Sequence, residues 1–160
     1  MNAVTTIAGP SMARFEQERE LVGTLLRMGD IAACKTARAI VGPEHFSDAT
    51  MARLFHLVCT ASETGLAGYP LTQAVIMDLR PDENVLAEVK LTPASLVAHC
   101  VAWSGPAAWL ANMARLVRFD WLNARLDLAA ELGDLVAVQE IGAEMEGLRR
   151  AHMTLNTDVE

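Results

Sequence analysis

His56 and Cys59 stand three apart, a spacing that puts both on one face of a helix, and His99 adjoins Cys100. Imidazole and thiolate are zinc ligands, yet a zinc site takes about four of them, usually from paired short spacings. Neither His-Glu-x-x-His nor Cys-x-x-Cys occurs, so these residues read as buried thiols and surface imidazoles. No metal and no other cofactor is expected. A nucleophilic cysteine needs a positioned base and a setting that stabilises its thiolate, and no such pairing can be read from the chain. Glu16 and Glu20, four apart, have the spacing of an acid/base pair. Near a helix start they read better as solvated acids favoured by the macrodipole. No residue is assigned a catalytic role, and the expectation is a protein that is not an enzyme.

Arg115, Arg118 and Arg125, with Arg149 and Arg150, make the only basic concentration. On a helix Arg118 lies one turn beyond Arg115, and Arg125 two turns further, a row able to meet phosphate or an acidic partner. The competing reading is a solvated face neutralised by Asp120, Asp127, Glu144 and Glu146. The whole chain carries 20 acidic and 13 basic residues, a net charge of −7. A negative protein repels phosphates, and no base-reading motif is present, so direct nucleic-acid binding is disfavoured. An all-α nucleic-acid-binding regulator using the Arg115/Arg118/Arg125 face remains the alternative function. Cys34, Cys59 and Cys100 are odd in number and widely spaced. The first ten residues lack the basic start and apolar stretch of a secretory signal, and no run approaches the roughly 20 apolar residues that cross a bilayer. The expectation is a cytoplasmic protein with reduced thiols and no membrane contact.

Those residues must be carried by helices, because three-or-four-residue apolar periods recur and no strand alternation does. The expected fold is all-α: a small globular helical bundle followed by a C-terminal antiparallel helical hairpin. Residues 1–10 read as a flexible tail, 11–104 as the body, 105–152 as the hairpin and 153–160 as a second tail. In the body, Ser11 caps a helix to about Met28, and Gly23 inside it implies close approach of another helix. Asp30 caps a second helix that should stop at Gly42-Pro43, after which Pro43-Glu44-His45-Phe46 turns Phe46 into the core. Ser47 or Asp48 begins a third helix ending near Gly65, Thr72 a fourth, and Thr92-Pro93 another, with a weak helix over Val85–Val89.

The hairpin's first arm opens at Pro106, which suits a first helical turn, and runs to Gly133; Asp134 caps the second. Leu110, Met113, Val117, Trp121 and Leu128 share one face, with Leu116 and Leu126 beside it. Leu135, Val138, Ile141, Met145 and Leu148 repeat the rhythm on the second arm. This apolar surface is broader than one arm can cover, so it needs a second contact, either another chain or the body folding back. Leu110, Met113, Leu116, Val117, Trp121, Leu135, Val138 and Ile141 are the expected protein interface. Trp103, Trp109 and Trp121 cluster at the hairpin base, as core packing or as interface anchors.

Three stretches together resemble the N-terminal domain of the DnaB-type replicative DNA helicase. Glu16-Gln17-Glu18-Arg19-Glu20-Leu21-Val22-Gly23-Thr24-Leu25-Leu26 is similar to the family's opening E-x-E-x-x-x-L-G-x-L-L helix, with Val22 where leucine is usual. Ile40 to Phe46 is similar to its L-s-p-e-d-F turn, with Phe55 and Gly65 following at the family's spacing. Met113 to Arg118 is similar to its Y-A-r-i-V-r hairpin stretch, with Met113 for the tyrosine, and Gly133-Asp134-Leu135 falls where that hairpin turns. Met51 replaces a frequent histidine, Thr72 stands where an aspartate cap is common, and the loop before Pro70 is lengthened. The resemblance spans roughly Met12 to Leu148. It implies a module whose hairpins pair into dimers, whose dimers form a collar on a hexamer, and whose collar receives primase. The expected partners are therefore a second copy of the chain and the replicative helicase or primase. The glycine-rich phosphate loop ending in Gly-Lys-Ser/Thr that an ATPase needs does not occur, so this chain is expected neither to hydrolyse ATP nor to unwind DNA.

Overall fold

The computed structural model describes residues 12–79 and 92–159, and among them seven α-helices and no strand. The helices are α1 (Met12–Met28), α2 (Ile31–Arg38), α3 (Ala49–Glu63), α4 (Gly68–Asp78), α5 (Pro93–Ala102), α6 (Leu110–Glu131) and α7 (Leu135–Val159). The fold is all-α. The expected tail at 1–10, the Ser11 cap and the weak helix over Val85–Val89 lie outside the described residues.

Local chemistry starts these helices where the sequence offers it. Asp30 accepts a hydrogen bond from the Ala33 amide at 2.7 Å, Asp48 from Met51 at 2.9 Å, and Thr92 from Ser95 at 3.2 Å. Each bond satisfies one of the amide donors a helix start leaves unpaired. Four boundaries differ from expectation. Helix α2 ends at Arg38, well before Gly42-Pro43, because the Ile40 and Val41 amides both fold back onto the Ala37 carbonyl and Val41 turns into the core. Helix α4 begins at Gly68 instead of being capped by Thr72. Pro70 sits in its first turn, where a missing N–H costs nothing, and the Thr72 hydroxyl donates back to the Gly68 carbonyl. Pro106 introduces a single 3-10 turn over Ala107–Trp109, so α6 starts at Leu110. Finally, α7 stays helical to Val159, through most of the segment expected to be a tail.

The body core centres on α1 and α3, with Leu21, Val22, Leu25, Met51, Leu54, Phe55 and Val58 essentially inaccessible. Phe46 enters it as expected and lies against Phe55, ring centroids 5.0 Å apart. Gly23 has its explanation in α5: a Cβ built there would fall 1.8 Å from the Cys100 carbonyl oxygen. Only a residue without a side chain lets the two backbones come so close. Cys34, Cys59 and Cys100 are all buried and free.

Glu18, between Glu16 and Glu20 on α1, is not a solvated acid. Its carboxylate is fully buried and accepts from the Ser47 amide at 2.9 Å, the Ser47 hydroxyl at 2.6 Å and the Asp48 amide at 3.1 Å. Glu18 thereby ties α1 to the start of α3. Burial pushes its pKa above the ordinary carboxylate value, while these three donors pull the other way.

The link into the hairpin is pinned to α1. Gly105 donates its amide to the Thr24 hydroxyl at 2.9 Å, and Arg27 donates to Ser104 Oγ at 2.9 Å and the Gly105 carbonyl at 2.6 Å. Those bonds fix the direction in which α6 leaves the body.

Candidate protein interface on the helical hairpin

The two arms turn over three residues. Gly133 holds φ +72°, the left-handed region where glycine meets no Cβ penalty, and the Asp134 side chain then accepts from the Ala137 amide at 3.1 Å. The Asp134 amide closes the turn onto the Ala129 carbonyl at 3.0 Å. The arms run back antiparallel, and nearer the body Arg118 meets Glu144 across them at 2.9 Å. Between these points Leu122, Ala129 and Ile141 form a thin hairpin core, with Trp121, Leu126, Val138, Met145 and Leu148 against it.

The eight interface residues expected from the sequence do not stay together. Leu110, Met113 and Val117 are buried in the core of the body, where the first half of α6 lies across α1 and α2. Their partner surface belongs to this chain, which corrects their assignment to an intermolecular face. Ile141 is likewise buried, between the two arms. Trp121 and Val138 are half-covered, and Leu116 and Leu135 are exposed. The apolar surface is thus covered by intrachain packing on the Leu110, Met113 and Val117 side and left open at Leu116 and at the tip.

Among the described residues, exposed apolar side chains gather on the hairpin's flank and at its tip. Along its flank, Leu116, Phe119 and Leu148 line a groove of about 130 Å³ bordered by Arg115 and Arg149. At its tip, Leu128, Leu132, Leu135 and Val136 are 56%, 74%, 73% and 65% exposed. Phe119, Leu148, Leu128, Leu132 and Val136 are not among the interface residues expected from the sequence. The legible signal was Leu132 and Leu135-Val136 on either side of the Gly133-Asp134 turn, where polar residues are usual.

The arginine row is largely engaged. Arg118 donates to Glu144 through Nε and Nη2, and to the Ile40 carbonyl at 2.9 Å through Nη1. Arg115 donates to Asn112 Oδ1 at 2.9 Å, and Arg125 lies over the Trp121 ring, 4.7 Å from its centroid. Trp121 also makes a T-shaped contact with His45 at 4.4 Å, and His45 Nδ1 accepts from the Gly42 amide at 2.9 Å. Burial lowers the His45 pKa below 6.5, and Arg118 acts in the same direction. This stack and the Arg118–Glu144 pair border a polar cleft of about 300 Å³ where body and hairpin meet. Trp103 and Trp109 are about half-exposed, so core packing does not account for them; Arg19 stacks on Trp103 at 3.9 Å.

Chemistry is harder to build. His56 is exposed while Cys59 is buried, and His99 and Cys100 divide the same way. Among the described residues no three His, Cys, Asp or Glu side chains group as a metal site, and no described helix is long and apolar enough to cross a membrane. No protein-family model matches this chain, and no curated protein matches it in sequence.

Proposed function

We propose that this chain is a non-catalytic protein–protein interaction module of the DnaB-helicase N-terminal type. In this reading it self-associates through its helical hairpin and acts in or on the replication machinery, at the assembly of helicase with primase. The observation that carries the interaction reading is the uncovered groove of Leu116, Phe119 and Leu148 on the hairpin flank. An aliphatic and aromatic strip beside two arginines, on a pair of packed helices, has the make-up of an interface core with a polar rim. The placement in replication rests on the resemblance of Glu16–Leu26, Ile40–Phe46 and Met113–Arg118 to that helicase domain.

Light scattering on the purified chain, alone and mixed with the full-length replicative helicase and the primase C-terminal domain of its host, tests both parts. The expected result is a homodimer and a defined complex with one of the two proteins. A clean homodimer that binds neither would remove the replication reading and leave only self-association. Leu116→Asp places a charge in the groove at an exposed position, so helicity by circular dichroism should hold while the dimer dissociates. An unchanged mass for that variant would rule out the flank as the interface.

A further inference from the structure

The hairpin tip differs from its flank in charge as well as in position. From Leu126 to Leu148 the sequence holds six acidic residues (Asp127, Glu131, Asp134, Glu140, Glu144 and Glu146) and no lysine, arginine or histidine. That stretch accounts for most of the net charge of −7 and leaves the rest of the chain close to balance. Glu144 is paired with Arg118, and Glu146 with Arg149 and Arg150, all away from the turn. Glu140 lines the polar cleft beside Arg118 and Arg125, whereas Asp127, Glu131 and Asp134 are exposed and make no ion pair among the described residues. They adjoin, in sequence, Leu128, Leu132 and Leu135 of the aliphatic knob that Val136 completes, whose exposure ranges from 56% to 74%.

We infer that the tip is a docking surface for a basic amphipathic helix of a protein partner, with lysine or arginine flanking an apolar stripe. The inference rests on the reading of this chain as an interaction module and separates two of its surfaces. A second copy is the wrong occupant for the tip, because it would set one acidic stretch against another, and like charges across an interface cost affinity and specificity. A basic helix supplies both halves of the match: its apolar side covers the four aliphatic residues, and its cations meet the adjoining acids. A purely hydrophobic partner would leave those acids unanswered, and a purely basic one would leave the knob in water.

The probe is a synthetic helical peptide with leucines at helical spacing and lysines elsewhere, compared with an isomer carrying glutamates in place of the lysines. Binding to the full chain is followed by fluorescence anisotropy. The expected result is saturable one-to-one binding of the lysine peptide, weakening as salt is raised, and none of the glutamate peptide. The double variant Leu132→Ser/Leu135→Ser keeps every charge and alters only exposed side chains; it should bind about ten-fold more weakly or worse. Asp127→Lys/Glu131→Lys should favour the glutamate peptide instead. Equal affinity of wild type and the serine variant, or equal affinity for the two peptides, would overturn the inference. So would a fall in homodimer mass for the serine variant, which would make the tip a contact between copies. A wild-type chain that is monomeric yet binds the lysine peptide at the tip would defeat the self-association reading and leave this one standing.

Discussion

Glu18 lies two residues beyond the exposed Glu16 on the same helix, yet its carboxylate has no exposure to solvent and receives two amides and a hydroxyl from Ser47 and Asp48. Removing it leaves those donors buried without an acceptor and opens a space between α1 and α3. Glu18→Ala should therefore cost about 2–4 kcal/mol, read by chemical denaturation with unchanged slope. A loss under about 0.5 kcal/mol would mean that water satisfies those donors equally well. Glu16 should be nearly silent to the same substitution. In sequence both are acids near a helix start; one is a solvated acid and the other a buried tie between helices.

At the scale of elements, two helical glycines make opposite predictions. Gly23 faces the α5 backbone so closely that a Cβ would meet the Cys100 carbonyl oxygen at 1.8 Å. Backbone cannot move aside as a flexible side chain can, so Gly23→Ala should destabilise the body by about 1–3 kcal/mol or more. Gly142, in α7, has nothing within 4 Å of such a Cβ. There alanine brings only its better helix propensity, and Gly142→Ala should raise stability by about 0.5–1 kcal/mol. Thermal denaturation of the two variants measures both signs. If Gly142→Ala raises monomer stability but weakens the homodimer, the open side of α7 is also where another copy approaches. If both variants destabilise alike, α7 meets a neighbour that the isolated chain does not show.

At the scale of the whole molecule, the hairpin belongs to the body at one end only. The first half of α6 contributes Leu110, Met113, Ala114 and Val117 to the large core, whereas the distal half and α7 together bury Leu122, Ala129 and Ile141. The second arm is held chiefly by α6, with the Arg118–Glu144 pair near the body. A thin core opens at lower cost than a thick one. Native-state hydrogen exchange should show the slowest amides in α1 and α3, and progressively faster exchange along α7 toward Leu135. Uniform protection along α7 in a monomeric sample would contradict this gradient. Slowing of that exchange only on dimerisation, or on binding a basic helix, would locate the contact.

Three capped helix starts and the hairpin turn were legible in the sequence because they depend on neighbours in the chain, whereas the starts of α4 at Gly68 and α6 at Leu110 were not. Asp30, Asp48 and Thr92 cap the helices that follow them, Gly133 supplies the positive φ of the turn, and Phe46 is delivered to the core by the short turn before it. The close approach at Gly23 was legible for a similar reason, since a glycine inside a good helix has to be compensated by packing. What covers an apolar face was not legible. On α6, Met113, Leu116 and Val117 are all apolar residues of one arm, yet Met113 and Val117 meet the body while Leu116 meets solvent. Periodicity reports that a face is apolar and is silent on whether another part of the chain lies against it. The burial of Glu18 was decided only in three dimensions, where the start of α3 comes to lie against α1. So was the division of the hairpin into a body-bound half and an open tip, set by the direction that Thr24 and Arg27 impose on the link into α6.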